Sequence, residues 1–242
     1  ELRRHQEHLA ELVRQRTALL EERNAQLAVA NRDLELFVAS ASHDLRTPLV
    51  IIGGFARRLE ASCAGRIEPA EMEMLRKVSA AARRMEGLLD DLLAFFRAAK
   101  AVPMLADIDM EAAAREAFEG LGPLVGERRV RLEISALPRA AGDAAMVRQL
   151  LVNLLANAVK FTAPRDEAFI EVSGWEDAAA TGYCVRDNGA GFDMGDGGKL
   201  FELFQRLHAP GEFAGTGIGL ATVKRIVEKH GGRVWANGEV DR

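Results

Sequence analysis

Apolar residues recur every seven positions through Val13, Leu20, Leu27, Leu34 and Ala41, and Leu9, Ala30 and Phe37 each stand four residues ahead of the next member. This spacing predicts a coiled-coil helix over residues 1–38, with the first series at heptad position a and Leu9, Arg16, Arg23, Ala30 and Phe37 at d. Two arginines at d weaken the seam and favour a helix pair able to shift register. In this register His43 falls at c, away from the seam, so its imidazole is expected to face water. Asp44 counts to d although Leu45 is the better core residue, which marks a stutter in the pattern.

A second helical stripe runs from about Pro69 to Arg97, with Val78, Met85 and Leu92 seven apart and Met74, Leu88 and Phe95 on the same face. Pro69 suits a helix start. Ser62 to Glu68, containing Gly65, then reads as the turn of an antiparallel helical hairpin spanning residues 39–100. Such a hairpin cannot bury both stripes alone, and pairing into a dimeric four-helix bundle would solve this. Ala101 to Pro103 reads as a linker. Beyond it, β-like runs (Val130 to Ile134, Phe169 to Val172, Tyr183 to Asp187, Arg233 to Trp235) mix with helical ones (Met110 to Gly120, Asp143 to Phe161, Gly219 to His230), the pattern of an α/β sandwich over 103–242.

With 242 residues, 48% of them hydrophobic, the chain can build one large domain or two small ones with a sizeable core. Its formal charge of −4 supplies no electrostatic reason to expect nucleic acid or an anionic membrane as partner. Cys63 and Cys184 lack CxxC spacing and read as reduced, partly buried residues of a cytoplasmic protein. No run approaches the roughly 18 apolar residues of a membrane span. The first residue, Glu1, already sits in a helical pattern, so the chain reads as a fragment of a longer protein, and a membrane anchor upstream stays open.

Four segments carry candidate chemistry. In SASHDLRTPL, His43 lies beside Asp44 and four residues before the end of a stretch broken by Pro48, whose missing donor predicts a bend or break in the helix. In RQLLVNLLANAVKFT, Asn153, Asn157 and Lys160 recur at spacings of four and three and share one helical stripe. That stripe fits either a solvated surface or a Mg²⁺ and phosphate site. DNGAGFD, residues 187–193, is either a plain turn after a strand or a loop whose glycines admit a flat ligand while Asp187 accepts from an exocyclic amine. GTGIGLA, 215–221, leads into a helix and forms an anion site at its N-terminus. It does not open a βαβ unit, which disfavours a dinucleotide fold.

Taken in order, SHDLRTPL, RQLLVNLLANAVKFT, DNGAGFD, LFELFQRLH and GTGIGLA resemble the H, N, G1, F and G2 boxes of two-component sensor histidine kinases, over about Leu34 to Asn237. The resemblance implies a dimeric phosphoacceptor hairpin followed by an ATP-binding sandwich of the type shared with gyrase-like ATPases. It implies that His43 is phosphorylated by ATP, that Asp44 orients the imidazole proton, and that Thr47 orients water when a phosphorylated partner is hydrolysed. Pro48 would bend the helix so that the hairpin opens during catalysis. Asn157 is the implied Mg²⁺ ligand with Asn153 beside it, Lys160 contacts phosphates, and Asp187 recognises adenine in a pocket shaped by Gly189 and Gly191. Arg206 reaches the γ-phosphate, and Gly215, Thr216, Gly217 and Gly219 close over the phosphates. Phe201 and Phe204 either anchor the lid or sit in the core.

The implied partners are a second copy of the chain, a response-regulator receiver domain and an upstream sensor domain, with no nucleic acid and no membrane contact from this fragment. Likeness to kinases that follow PAS or phytochrome modules hints at a light, redox or ligand input. Two features depart from the family. The stretch MGDGGK, 194–199, predicts a loose lid and weak ATP affinity, and the sequence ends where the family continues into one more strand. These departures keep a second reading open, a non-catalytic scaffold or relay of the same fold. A chaperone or mismatch-repair ATPase of the same superfamily gives SHDLRTPL no role. His5, His8, His208 and His230 read as surface residues, and Trp175 and Trp235 as core or strand-edge aromatics.

Overall fold

The heptad pattern is realised as one helix, α1 (Leu2–Cys63), in a computed structural model that describes residues 2–63, 65–209 and 212–240. The expected Ser62–Glu68 turn is described apart from Ala64, and Asp241 and Arg242, where the sequence ends short of the last strand expected for the family, lie outside the described residues. Gly65 adopts φ +71°, and helix α2 then runs Pro69–Lys100, starting at the expected proline. The chain divides into two compact units, Glu1–Leu89 and Asp90–Arg242. Among the described residues no helix is long and apolar enough to cross a membrane.

Helix α1 continues through Pro48, so of the expected bend or break the break does not occur. An interior proline costs a helix about 3 kcal/mol, and here buried residues flank it on both sides. Ser42, Leu49, Gly53 and Ala56 form a buried stripe on α1, and Ser79 and Ala82 are buried on α2. A side chain at Gly53 would come within 3.5 Å of Ala82 Cβ, and Ser79 Oγ donates to Glu60. The inner seam is thus made of small residues. The larger apolar side chains, Ile52, Phe55 and Leu59 on α1 and Met74, Val78 and Met85 on α2, remain exposed, as do Val13, Leu20 and Leu27 upstream.

The second unit begins in the last turns of α2, where Ala98 is buried with Met146 and Ile226. It continues through β1 (Ala106–Ile108), α3 (Met110–Glu119), the single turn α4 (Gly122–Val125), β2 (Val130–Ile134), β3 (Ala140–Gly142), α5 (Ala144–Phe161), β4 (Ala168–Glu176), β5 (Thr181–Asp187) and α6 (Gly219–Lys229). Strand β2 pairs parallel with β4, β4 pairs antiparallel with β5, and β1 and β3 form a separate antiparallel pair. The period-2 alternation turns Leu132, Ile170, Val172, Tyr183 and Val185 toward α3 and α5, where Ala114, Leu151, Leu155 and Val159 complete the core. This is the expected sandwich.

The same alternation overturns the expectation for Cys184, which points outward from β5 and is exposed; Cys63 is half-buried, and both are free. Arg233 to Trp235 forms no strand, since no described residue pairs with it, and Trp235 is exposed. Trp175 stands at the exposed end of β4, packed over Gly182.

One carboxylate ties three parts of this unit together. Asp143 caps α5 by accepting from Met146 N through Oδ1 at 3.0 Å. Its Oδ2 accepts from Met104 N at 3.0 Å, and its own N–H donates to His230 Nε2 at 3.0 Å. These bonds, that from Met104 first, hold the Asp143 carboxyl below its ordinary pKa.

Candidate functional site

The sequence-predicted residues fall into two groups, one in each unit. On α1, buried Ser42 sets the helix phase, so the next residues, His43 and Asp44, point to solvent with side chains 82% and 74% exposed. His43 Nδ1 lies 3.3 Å from Asp44 Oδ1. An ionised carboxylate only accepts, so in this contact Nδ1 is the donor. Thr47, one turn further on, is also exposed. The expectation of a water-facing imidazole holds.

In the second unit Asn153, Asn157, Lys160, Asp187, Gly191, Arg206 and the glycine loop of Gly215, Thr216, Gly217 and Gly219 line one cleft. Helix α5 supplies the floor because its core stripe, Leu151, Leu155 and Val159, leaves Asn153, Asn157 and Lys160 on the adjacent face. Lys160 Nζ donates to Asn157 Oδ1 at 3.0 Å and lies 4.1 Å from the Phe161 ring centroid. Burial, helped by the Arg206 charge, lowers the Lys160 pKa to about 8. Asn153 Nδ2 donates to Gly219 O at 3.3 Å, fastening α5 to the first residue of α6.

Asp187 is the last residue of β5, on the inward face and paired in register with fully buried Ile170. Burial therefore raises its pKa, and the Gly189 N–H, 2.9 Å from Oδ1, pulls the other way. Gly189 is sterically required: a Cβ there would stand 2.6 Å from Asp187 Oδ1 and 2.7 Å from Phe161 O. It lies behind the cleft wall and shapes the pocket from there. Arg165 donates from Nε to Asn188 O at 2.8 Å and from Nη2 to Gly189 O at 2.9 Å, while Arg128 clamps Val159 O and Thr162 O at the end of α5. Neither contact was legible in the sequence, because the partners lie 23 to 34 residues away.

Gly215 and Gly217 adopt φ +155° and +75°, and a Cβ at Gly217 would meet Gln205 O at 2.8 Å. Phe204 N donates to Gly217 O at 2.9 Å, joining the glycine loop to the LFELFQRLH segment. Phe204 itself is exposed with φ +63°, a left-handed conformation that is costly for an aromatic residue. The core reading therefore fails for Phe204, and Phe201 is half-buried. The buried aromatic is Phe213, packed edge-to-face against Phe161 and His208, so His208 is not the surface residue expected. His230 is likewise half-buried, donating from Nδ1 to Ile226 O at 2.8 Å. His208 and His230 read as surface residues only because histidine carries no burial signal of its own.

Arg206 does not extend freely into the cleft: its Nη2 donates to Phe213 O at 2.7 Å. Thr216 Oγ1 donates to Asp91 Oδ2 at 2.6 Å and accepts from Ile218 N at 3.3 Å. Gly219 opens α6, and it and Leu220 line the cleft. The MGDGGK stretch forms a 3₁₀ turn capped by Asp193.

These residues fit Mg²⁺ and a triphosphate. The Asn157 carboxamide is a hard oxygen donor, and the Lys160 ammonium already stands as a cation against it. Among the described residues there is no group of three or more His, Cys, Asp or Glu placed to hold a metal by itself, so phosphate oxygens and water would complete the shell.

Comparison with known proteins matches residues 33–100 to the His Kinase A (phospho-acceptor) domain and residues 142–242 to the histidine kinase-, DNA gyrase B- and HSP90-like ATPase family. The methanogenesis regulatory histidine kinase FilI of Methanothrix harundinacea is 33% identical over 96% of this chain and 26% of its own length. The phytochrome-like protein Cph1 of Synechocystis is 30% identical over 85% of this chain and 27% of its own. This chain spans about a quarter of these relatives. Among solved structures, full-length ShkA in complex with AMPPNP is similar with a TM-score of 0.61 and 28% identity, over 84% of this chain and 42% of that one.

Proposed function

Because the chain belongs to the sensor histidine kinases, we propose that it is the ATP-dependent core of a longer sensor protein, phosphorylating His43 and passing the phosphoryl group to an aspartate of a response regulator. The observation that carries this reading is the exposed His43–Asp44 pair, whose contact directs Nδ1 to the carboxylate and leaves Nε2 for the phosphoryl group. In the proposed step the Nε2 lone pair forms a bond to the γ-phosphorus, the bond to the β,γ-bridging oxygen breaks, and ADP departs with its electron pair. Asp44 holds the Nδ1 proton and stabilises the positive charge that develops on the ring.

In the cleft, Asp187 accepts from the adenine amino group, Lys160 and the α6 N-terminus neutralise the phosphates, and Arg206 exchanges Phe213 O for the γ-phosphate. Asn157 is the side chain that would hold Mg²⁺, with Asn153 beside it, and the metal would supply charge neutralisation of the triphosphate. Gly215, Thr216, Gly217 and Gly219 close over the phosphates, while Gly191 shapes the pocket by admitting the Glu239 backbone where a Cβ would stand. Thr47, exposed one turn beyond His43, supports a second activity, orienting the water that hydrolyses the regulator's phosphoaspartate.

The proposed organisation is a signalling helix (1–38), a phosphoacceptor hairpin (39–100) and a catalytic domain (103–242). The exposed apolar stripes of α1 and α2 support pairing with a second copy. The test is incubation with γ-labelled ATP and Mg²⁺: the reading predicts acid-labile, base-stable label that is absent from His43→Gln. ATP binding without label would instead favour the scaffold reading.

A further inference from the structure

Resting on the adenine reading of Asp187, we infer that Arg165 is a positioning residue for base selection, holding the Asn188–Gly189–Ala190 backbone so that Asp187 presents one fixed oxygen to the exocyclic amine of the base. Arg165 lies between α5 and β4, half-buried, and its two bonds reach consecutive peptide groups. The peptide whose oxygen takes Nε, Asn188–Gly189, is the one whose N–H donates to Asp187 Oδ1. The next peptide, whose oxygen takes Nη2, sends its N–H to Phe161 O at 3.1 Å.

In a trans peptide the C=O and N–H point in opposite directions, so fixing each oxygen also aims each N–H. A charged donor on the oxygen further polarises the N–H on the other side of the same peptide. Asn188 prevents the turn from sliding, since its Oδ1 accepts from Phe169 N at 2.8 Å and its Nδ2 donates to Glu167 O at 3.0 Å. Asp187 Oδ1 is thereby committed to Gly189, and Oδ2 is the oxygen left for the ligand. Arg128 supplies an internal contrast. It clamps two carbonyls of α5 in a similar way but touches neither Asp187 nor its loop.

The experiment is titration of the whole chain with Mg-ATP and with Mg-ITP, which carries an oxygen in place of the amino group, reading the ratio of the two dissociation constants. Arg165→Ala should lower the preference for ATP by about tenfold, close to the effect of Asp187→Asn, and Arg165→Lys, which keeps a cation but loses the planar fork of donors, should fall between. Arg128→Ala should lower the melting temperature and leave the ratio at its parental value. If both Arg165 variants keep the parental ratio while Asp187→Asn abolishes it, the positioning role is overturned and the adenine reading stands. If Asp187→Asn itself keeps the ratio, the adenine reading falls and the inference falls with it.

Discussion

The two chemistry-bearing regions use opposite environments. His43 and Asp44 stand on a helix surface, where one hydrogen bond orients the ring and the fold owes them nothing. Asp187 and Lys160 are set into the apolar wall and floor of a cleft, where burial disfavours the charged form of each before any ligand arrives. At the helix, removing a group should cost the reaction alone. In the cleft, affinity and stability should move together, and in opposite directions.

The largest expected effect is at the helix. Asp44→Asn should reduce the labelling rate by about 10²- to 10⁴-fold, the usual worth of a positioned acid or base, with melting temperature and ATP affinity unchanged. A matching loss of stability would break the contrast. Next, Asp187→Asn should weaken ATP binding by about 10- to 100-fold, the range of a hydrogen bond to a charged group, while raising the melting temperature of the unliganded chain at neutral pH. The sign follows from the raised carboxyl pKa: whatever stability the protonated form contributes is lost as pH rises, so removing the ionisable group relieves the folded state.

A smaller effect concerns pH. Lys160, at about 8 when unliganded, must be charged to hold phosphate, so ATP affinity should fall by up to about tenfold per pH unit above 8, measured by calorimetry. Lys160→Met should flatten that slope. In the unliganded chain the sign reverses: the depressed pKa means the unfolded state binds more protons between pH 8 and 10.5, so stability should rise with pH across that window. The smallest effect should come from Thr216→Val, which removes the bonds to Asp91 and Ile218 and should cost about 0.5–1.5 kcal/mol in urea unfolding.

Much of this was legible beforehand, for physical reasons that differ by element. The long helices and α5 carry apolar periodicity over many turns, and the inward position of Asp187 follows from alternation with Tyr183 and Val185. Strands β1 and β3, three residues each, are too short to show any alternation. The cost of Pro48 is local and visible in the sequence, whereas the burial of Leu49 and Ala56 beside it depends on the helix they pack against. Arg165 and Arg128 left no trace, since an exposed arginine and one clamping distant carbonyls look alike in one dimension.

Asp143 bears on how freely this sequence can drift. Its three bonds make separate demands: two carboxylate oxygens that both accept, on a side chain short enough to cap its own helix, and a backbone N–H kept in line with His230. Asparagine has the right shape but sets a donor against one of the two N–H groups, serine offers a single oxygen, and glutamate is a carbon too long. In a saturation library scored for folded protein, position 143 should therefore retain aspartate almost alone, while its neighbours Ala144 and Ala145 accept most of the alphabet.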